Sequence, residues 1–269
     1  MKNGGKKTQN RYSKIIEKIF FDHYKKGDTK IDFSREEIET AASKLQIDLP
    51  KNLGDLIYTF RYRGNLPESI IKKAPKDTQW IIMPAGRSRY RFEITSISDI
   101  EPTKLMAETK VPDATPGIIS MYALSDEQAL LAKVRYNRLI DIFTSVTCYS
   151  LQNHLRTTAP EIGQVETDEI YIGVDKRGAH YVFPIQAKGK KDKLNIVQIE
   201  QDVEVCKSKF PTLICRPIGA LFLQDNLIAL FEFVESENGI SIVTEKHYRL
   251  VPPEEISDAD LIAYSQTQN

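Results

Sequence analysis

A short stretch of the chain places acids, an amide and an amine at the open ends of two apolar runs. Residues 166–194 read ETDEIYIGVDKRGAHYVFPIQAKGKKDKL, and the charged turn Asp-Lys-Arg-Gly separates the two runs. Three acids open the first run: Glu166, Asp168 and Glu169. Gln186 and Lys188 close the second run. The pattern predicts a β-hairpin in which the start of one strand and the end of the other meet at one sheet edge.

The side chains gathered at that edge suit the hydrolysis of a phosphodiester. Carboxylate and amide oxygens can hold a hard divalent cation, which prefers oxygen ligands. Such an ion polarises a phosphate and lowers the pKa of a bound water. Lys188 can orient that water or stabilise the charge that builds on the phosphate. The simpler alternative is that Asp168, Glu169 and Lys188 are exposed strand-end charges, whose pairing contributes under about 1 kcal/mol.

The arrangement of Asp168 on one strand and Gln186-Ala187-Lys188 at the end of the next resembles the motif of the PD-(D/E)xK nuclease superfamily, which includes type II restriction endonucleases. The resemblance covers residues 120–235. It implies a Mg²⁺ ion held by Asp168, Gln186 and the carbonyl of Ala187. It also implies that Lys188 assists an attacking water.

Gln186 departs from the family pattern, which has Glu or Asp at this position. The amide offers the ion an oxygen but no charge, so the ion would be held less tightly. The superfamily nevertheless includes active restriction enzymes with Q-x-K. Glu169 is predicted to join the catalytic set as a source of the missing carboxylate, and Glu166 is the alternative, because strand alternation does not decide between them.

Two neighbouring segments extend the predicted site. The loop GKKDKLN after the hairpin is basic, and we expect Lys190 and Lys191 to contact a phosphate backbone. On the helix that follows, three polar residues could face the site: Gln198, Glu200 and Gln201.

The elements around the hairpin predict a mixed sheet with helices packed against it. Ser125-Asp-Glu-Gln128 has the pattern of a capping box, and the apolar spacing after it predicts one long helix to about His154. A helix near 194–208 follows the hairpin, and three more strands follow the helix: PTLICRPIGALFL, LIALFEFV and ISIVTEKHYRLV. The predicted class is α/β (α+β), with a restriction-endonuclease-like mixed β-sheet flanked by helices over residues 118–269.

Residues 1–100 predict a winged-helix domain that binds DNA. The segment from Arg11 to Gly27 has helical spacing, the capping box Ser34–Glu37 opens a second helix, and a third runs from Pro50 to a C-cap at Gly64. The stretch TQWIIMPAGRSRYRFEITS then predicts two strands and a tight turn. The expected DNA contacts are arginines: Arg61, Arg63, Arg87, Arg89 and Arg91. A structural or protein-docking domain of the same shape is the alternative.

Composition agrees with a nucleic-acid-binding protein and excludes several other classes. Residues 1–93 hold 20 Lys+Arg and 12 Asp+Glu, a net of +8, which leaves 17 and 25, a net of −8, from the totals of 37 and 37. A basic N-terminal part suits a polyanion. The chain has 3 Cys residues, and none of them are in C-x-x-C spacing. This pattern argues against a structural zinc site and predicts a protein of the reducing cytoplasm. No apolar run is long enough to cross a bilayer. The segment 101–117, rich in Pro, Thr and charge, predicts a connector.

Together these features predict a Mg²⁺-dependent DNA endonuclease, most simply a restriction enzyme. The resemblance implies double-stranded DNA as substrate, a homodimer, and a companion DNA methyltransferase that protects host DNA. Three alternatives stay open. They are a structure-specific repair nuclease of the same fold, a DNA-binding regulator or scaffold with a degenerate nuclease domain, and a protein–protein adaptor.

Overall fold

A computed structural model describes residues 4–96, 99–122, 126–160, 162–190, 192–224, 226–236 and 239–266, with the side chains of 4–10, 62–63, 99, 120 and 126 left aside. The chain divides into two compact units. The first holds Met1–Ser98 together with Thr158–Gln164 and Asn195–Val197, and the second holds Asp99–Thr157, Val165–Leu194 and Gln198–Asn269.

The N-terminal part of the chain combines helices with a three-stranded antiparallel sheet of order β1-β3-β2. Its elements in chain order are α1 (Gly4–His23), β1 (Lys30–Ser34), α2 (Arg35–Leu45), α3 (Leu53–Tyr58), the π-helix Thr59–Arg63, α4 (Glu68–Ile71), β2 (Gln79–Pro84) and β3 (Arg89–Thr95). Apolar side chains of the helices and the sheet form one core, which includes Phe20, Ile38, Leu56, Trp80 and Phe92. The hairpin predicted for this part is confirmed.

The capping box at the start of α2 is also confirmed. The Glu37 N–H donates to the Ser34 hydroxyl at 3.3 Å, and the Glu37 carboxylate accepts from the Ser34 N–H at 2.8 Å. Two orphan amides of the helix start are therefore satisfied by side chains.

The predicted third helix begins later than expected and changes to a π-helix before its end. It begins at Leu53 rather than Pro50, because the Asn52 side chain caps it by accepting from the Gly54 N–H at 3.1 Å. After Tyr58 the backbone continues as a π-helix, and Gly64 ends it in extended conformation with a φ of −137° rather than as a left-handed C-cap.

The rest of the chain forms an eight-stranded mixed sheet with helices on both sides, together with a separate sheet of two short strands. Its elements in chain order are β4 (Asp99–Ile100), β5 (Glu108–Pro112), α5 (Gly117–Tyr122), α6 (Asp126–Tyr136), α7 (Leu139–Thr144), β6 (Thr147–Ala159), β7 (Gly163–Val174), β8 (His180–Lys188), β9 (Leu194–Asn195), α8 (Ile196–Lys209), β10 (Ile214–Cys215), β11 (Ile218–Gln224), β12 (Leu227–Ser236), β13 (Gly239–Val251), a 3₁₀ turn (Pro253–Glu255) and α9 (Asp258–Gln266).

The strand order of the large sheet is β5-β13-β12-β11-β8-β7-β6, and β10 pairs with β8. The β7/β8 and β11/β12/β13 pairs are antiparallel, whereas β8 with β11 and β13 with β5 are parallel. The helix α8 connects the parallel pair β8 and β11, as a crossover connection requires. The expectation of a mixed sheet flanked by helices is confirmed.

The two faces of this sheet are covered by different helices. Residues of α6 and α7 form the larger core with one face, through side chains such as Leu130, Val134, Leu139, Tyr171 and Phe183. On the other face Ile170 and Val182 pack with Cys206 of α8. Strand alternation therefore assigns each residue of β7 and β8 to the α6 side or to the α8 side.

The expected long helix to His154 is wrong in its second half. The helix α6 ends at Tyr136, Arg138 takes a left-handed conformation with a φ of 49°, and α7 ends before Ser145 at a φ of 56°. The segment after it, Thr147–Ala159, forms the long strand β6. Ser125 of the predicted capping box lies outside the described residues.

Two further differences concern segments with weak sequence signals. The expected connector 101–117 contains β5, which adds to the sheet beside β13. The C-terminal helix α9 was not predicted from the sequence. Among the described residues, no helix is both long and apolar enough to cross a membrane.

Candidate functional site

The β7/β8 hairpin sets the geometry of the candidate site. The turn between the strands closes where the Gly178 N–H donates to the Asp175 carbonyl at 2.9 Å, and Gly178 has a φ of +81°. The register pairs Glu169 with Ile185. The next step of this antiparallel register faces Asp168 toward Gln186, so the two predicted site segments meet at the open end of the hairpin.

Asp168 is held against the backbone of the neighbouring strand. Its Oδ2 accepts a hydrogen bond from the Ala187 N–H at 2.8 Å. Burial raises the pKa of this carboxyl, and the positive charge of Lys188 partly offsets that rise. A carboxylate that is poorly solvated gains more from a bound cation than an exposed carboxylate does.

Gln186 is buried, and both ends of its amide are used inside the protein. Its Nε2 donates to the two carboxylate oxygens of Asp202 at 3.2 and 3.0 Å and to the Glu166 carbonyl at 3.2 Å. Its Oε1 accepts from Nε2 of Gln198 at 3.0 Å. The expected oxygen ligand thus belongs to a hydrogen-bond network between β8 and α8.

Asp202 lies at the centre of that network and is fully buried, with 0% of its surface exposed. Its Oδ1 also accepts from the Thr167 hydroxyl at 2.6 Å. Burial raises the pKa of Asp202 to about 8, against the lowering effect of its hydrogen bonds from Thr167 and Gln186. A buried carboxylate whose hydrogen-bond donors are neutral is costly to ionise.

Lys188 reaches a second carboxylate, which the sequence did not single out. Its Nζ lies 3.3 Å from Oε1 of Glu127, near the start of α6. The Lys188 side chain is 14% exposed and that of Glu127 is 40% exposed, so the amine lies close to the surface but is mostly shielded. The positive charge of Lys188 lowers the pKa of Asp168, whereas the negative charge of Glu127 raises it.

Glu169 does not join this group, because it lies on the α6 side of the sheet. Its Oε1 accepts from the Arg135 guanidinium at 2.9 Å and from the Ser150 hydroxyl at 2.6 Å. The side chain is fully buried, with an exposed fraction of 0%. The prediction that Glu169 supplies a carboxylate beside Asp168 is wrong, since adjacent strand residues point to opposite faces.

Glu166 lies at the exposed end of β7. Its carboxylate pairs with His154 at 3.2 Å and with Arg156 at 3.2 Å on the neighbouring strand β6. The side chain that shares a face with Asp168 is therefore engaged in an exposed ion pair, and only its backbone carbonyl contacts Gln186.

The chemical type of the donor atoms near the end of the hairpin, oxygen, suits a hard cation. Carboxylates of Asp168, Asp202 and Glu127 and the backbone carbonyl of Ala187 offer oxygen, which Mg²⁺ prefers to nitrogen or sulfur. Among the residues that the structure describes, however, no three His, Cys, Asp or Glu side chains already surround a point where an ion could sit. The oxygens of Gln186 and Asp202 would have to exchange protein donors for the ion.

Some of the arginines predicted to contact DNA are exposed, and others are bonded to groups of the protein. Arg87 and Arg89 are exposed at the turn between β2 and β3. Arg91 pairs with Asp32 at 2.6 Å, and the Arg61 Nε donates to the Ile82 carbonyl at 3.1 Å. Arg61 is thus tied to β2 rather than extended into solvent.

Of the three other predicted contacts, only Lys190 has a side chain that the structure describes. Lys190 is exposed just after β8. The side chain of Arg63 and all of Lys191 lie outside the described residues.

Sequence reasoning missed Asp202 and Glu127. The notable signal for Asp202 is its spacing of one helical turn from Gln198, which puts both on the same face of α8. Gln198 was among the candidates for that face, and it does reach Gln186. Glu127 had no signal beyond its position at the start of a predicted helix.

Comparison of the chain with models of known protein families, with curated proteins and with solved structures gives no match.

Proposed function

We propose that the chain is a Mg²⁺-dependent DNA endonuclease of restriction type that hydrolyses phosphodiester bonds. The observation that carries the proposal is the meeting of Asp168, Gln186 and Lys188 at one end of a hairpin, within a mixed sheet that has helices on both faces. The alternative, that Asp168 and Lys188 are ordinary surface charges, would not explain why both are partly buried. Exposed ion pairs stay in water and contribute little to stability.

Each residue of the group has a role in the proposal. Asp168 and the Ala187 carbonyl would hold Mg²⁺, and the Ala187 N–H fixes the Asp168 carboxylate in place at 2.8 Å. When bound, Mg²⁺ would draw charge from the phosphate and lower the pKa of water. Lys188 would orient the attacking water or stabilise charge on the phosphate, and Glu127 holds its amine at 3.3 Å.

In the proposal, the N-terminal part binds DNA as a winged helix. Its element order, with β1 between α1 and α2 and a hairpin after the third helix, agrees with that architecture, as does the sheet order β1-β3-β2. Arg87 and Arg89 would lie along phosphates as the tip of the wing. The proposal includes a homodimer, because cutting the two antiparallel strands of DNA suits a two-fold axis. It also includes a companion methyltransferase, because a restriction enzyme requires protection of the host DNA.

The nuclease proposal is tested by incubating the protein with unmodified phage and plasmid DNA in Mg²⁺ or EDTA. Discrete fragments are expected with Mg²⁺ only, and Lys188→Ala should reduce their rate of formation at least about 100-fold. Lys207→Ala is the matched control, since Lys207 pairs with Glu204 and Glu235 at the surface of the same sheet domain. Equal cleavage by the two variants would contradict the proposal.

DNA binding is tested separately, by titrating a fluorescent duplex at two salt concentrations. Arg87→Gln with Arg89→Gln should weaken binding and lower its salt dependence, because two phosphate contacts are lost. Arg177→Gln is the control, since Arg177 pairs with Asp175 at 2.8 Å in the β7/β8 turn. Unchanged binding in the double variant would exclude this wing as the DNA contact.

A DNA-binding regulator or scaffold with a degenerate nuclease domain is the second candidate. It is favoured by Gln186, whose oxygen and nitrogen are both engaged by protein groups. This candidate predicts that the protein shifts DNA in a gel without cutting it and that Lys188→Ala changes nothing. A repair nuclease would instead cut branched DNA in preference to linear duplex.

A further inference from the structure

The buried carboxylate of Asp202 has no cation bonded to it within the described part of the chain. Its hydrogen bonds come from Thr167 and Gln186, which are neutral donors. In its ionised form, a carboxylate removed from water without a compensating charge costs several kcal/mol even after the surroundings relax. A well-packed asparagine or leucine would avoid that cost, so stability does not account for an acid at this position.

The position of Asp202 gives it a use in the site. Its carboxylate meets the side chain of Gln186, the residue at which the predicted motif calls for an acid. It is also close enough to Asp168 and Lys188 for both charges to act on it. Helix α8 therefore brings a carboxyl group, which would carry a negative charge when a cation binds, to the place where strand β8 supplies only an amide.

We propose that Asp202 is the second acid of the metal site, and that it supplies from α8 the negative charge that Gln186 lacks. This inference rests on the proposed function. An amide offers a donor at one end and an acceptor at the other, so exchange of the two ends of Gln186 would turn an oxygen toward the same ion. Asp202, Gln186 and Asp168 then form an oxygen set of the kind that Mg²⁺ takes.

The test moves the charge between the two positions and measures Mn²⁺ binding without nucleic acid. Four proteins are compared by isothermal titration calorimetry: wild type, Asp202→Asn, Gln186→Glu, and the double variant. Asp202→Asn should bind Mn²⁺ at least about tenfold more weakly, which is about 1.4 kcal/mol, because the ion loses the charge of one carboxylate. The double variant should return to within about threefold of wild type, because the same charge is restored one side chain away.

Gln186→Glu keeps the inference testable if Asp202→Asn fails to fold. It adds a carboxylate beside Asp202, and it should tighten Mn²⁺ binding while lowering the thermal midpoint in EDTA, since like charges then adjoin in a buried place. Glu166→Gln is the matched control, because that carboxylate is exposed and paired with His154 and Arg156.

The outcomes separate this inference from the proposed function. If wild type binds Mn²⁺, Asp168→Asn abolishes the binding, and Asp202→Asn leaves it unchanged, the inference is overturned and the metal site stands. If wild type binds no Mn²⁺ at all, both are overturned. Weaker binding in Asp202→Asn without recovery in the double variant would also overturn the inference, since Asp202 would then act through local structure rather than charge.

Discussion

The two faces of the β7/β8 hairpin each bury a carboxylate, and they stabilise it in different ways. On the α6 side, Glu169 accepts from a guanidinium at 2.9 Å and a hydroxyl at 2.6 Å. On the α8 side, Asp202 accepts from a hydroxyl at 2.6 Å and an amide at 3.0 Å. The first acid has a dedicated cation, Arg135. The second has only neutral hydrogen-bond donors, with Lys188 acting from a greater distance.

The difference matches the roles that we propose for the two acids, a structural one for Glu169 and a ligand-binding one for Asp202. In the buried pair of Glu169 with Arg135, the guanidinium compensates the carboxylate without any bound species. An acid held by neutral donors is at its most stable when protonated, or when a cation binds. Groups of this second kind occur most often at functional sites. The comparison therefore agrees with a structural role for Glu169 on the α6 face and with the proposed binding role of Asp202 on the α8 face.

The largest expected effect concerns the pH dependence of stability without metal. Because the pKa of Asp202 is raised by burial to about 8 in the folded protein, the folded state holds a proton that the unfolded chain releases. The contribution of this group is therefore complete below the unfolded pKa and is lost as the pH rises toward about 8. The free energy of unfolding should fall by up to about 1.4 kcal/mol per pH unit in this window, and Asp202→Asn should remove most of that slope.

Urea midpoints in EDTA, measured between about pH 5 and about pH 8, check this slope. Asp168, whose pKa burial also raises, leaves a smaller slope of the same sign in the variant. An Asp202→Asn protein that loses stability with pH as steeply as wild type would contradict the assignment.

On the other face, Arg135→Met should destabilise the protein at neutral pH by about 2–3 kcal/mol. Breaking a fully buried pair costs about 3–5 kcal/mol, and the value is lower here because the Arg135 side chain is 36% exposed. Urea denaturation of Arg135→Met measures it, with Arg138→Met as a control at an arginine that is 61% exposed. Equal midpoints in the two variants would remove the contrast between the faces.

The packing of the α6 face gives a third test. A Cβ on Gly173 would lie 2.7 Å from Cγ1 of Val146 and 2.8 Å from Cε2 of Phe183. Gly173→Ala should therefore cost about 1–3 kcal/mol by overpacking. Gly117→Ala is the control, because nothing lies within 4 Å of that Cβ. A neutral Gly173→Ala in thermal melts would show that this face yields more easily than its contacts indicate.

The parts of the fold that depend on local pattern were predictable from the sequence. The strands of the central hairpin alternate between two buried faces, and Ser34 with Glu37 marks the start of a helix. The strand β6 was missed because most of its residues are exposed, so it lacks the apolar alternation on which strand prediction depends. The helical spacing of Leu139, Ile142 and Phe143 continued the α6 pattern past a break at Arg138.

The candidate site was predictable only where both partners lie on the hairpin. Strand alternation put Asp168 and Glu169 on opposite sides but could not tell which side α8 would cover. The contact of Gln186 with Asp202 joins a strand to a helix through tertiary packing, for which neither residue carries a local signal. The same holds for Lys188 and Glu127, which lie far apart in sequence.

The smallest expected effect on stability concerns an exposed carboxylate near the site, that of Glu166. Glu166 lies on the same strand as Asp168, yet its side chain is 44% exposed and pairs with His154 and Arg156. Glu166→Gln should change the free energy of unfolding by less than about 1 kcal/mol, because exposed pairs gain little over water. It should also leave Mn²⁺ affinity unchanged, whereas Asp202→Asn lowers it. A loss of metal binding in Glu166→Gln, measured by the same calorimetric titration, would move the second acid from the buried face of α8 to the exposed end of β7.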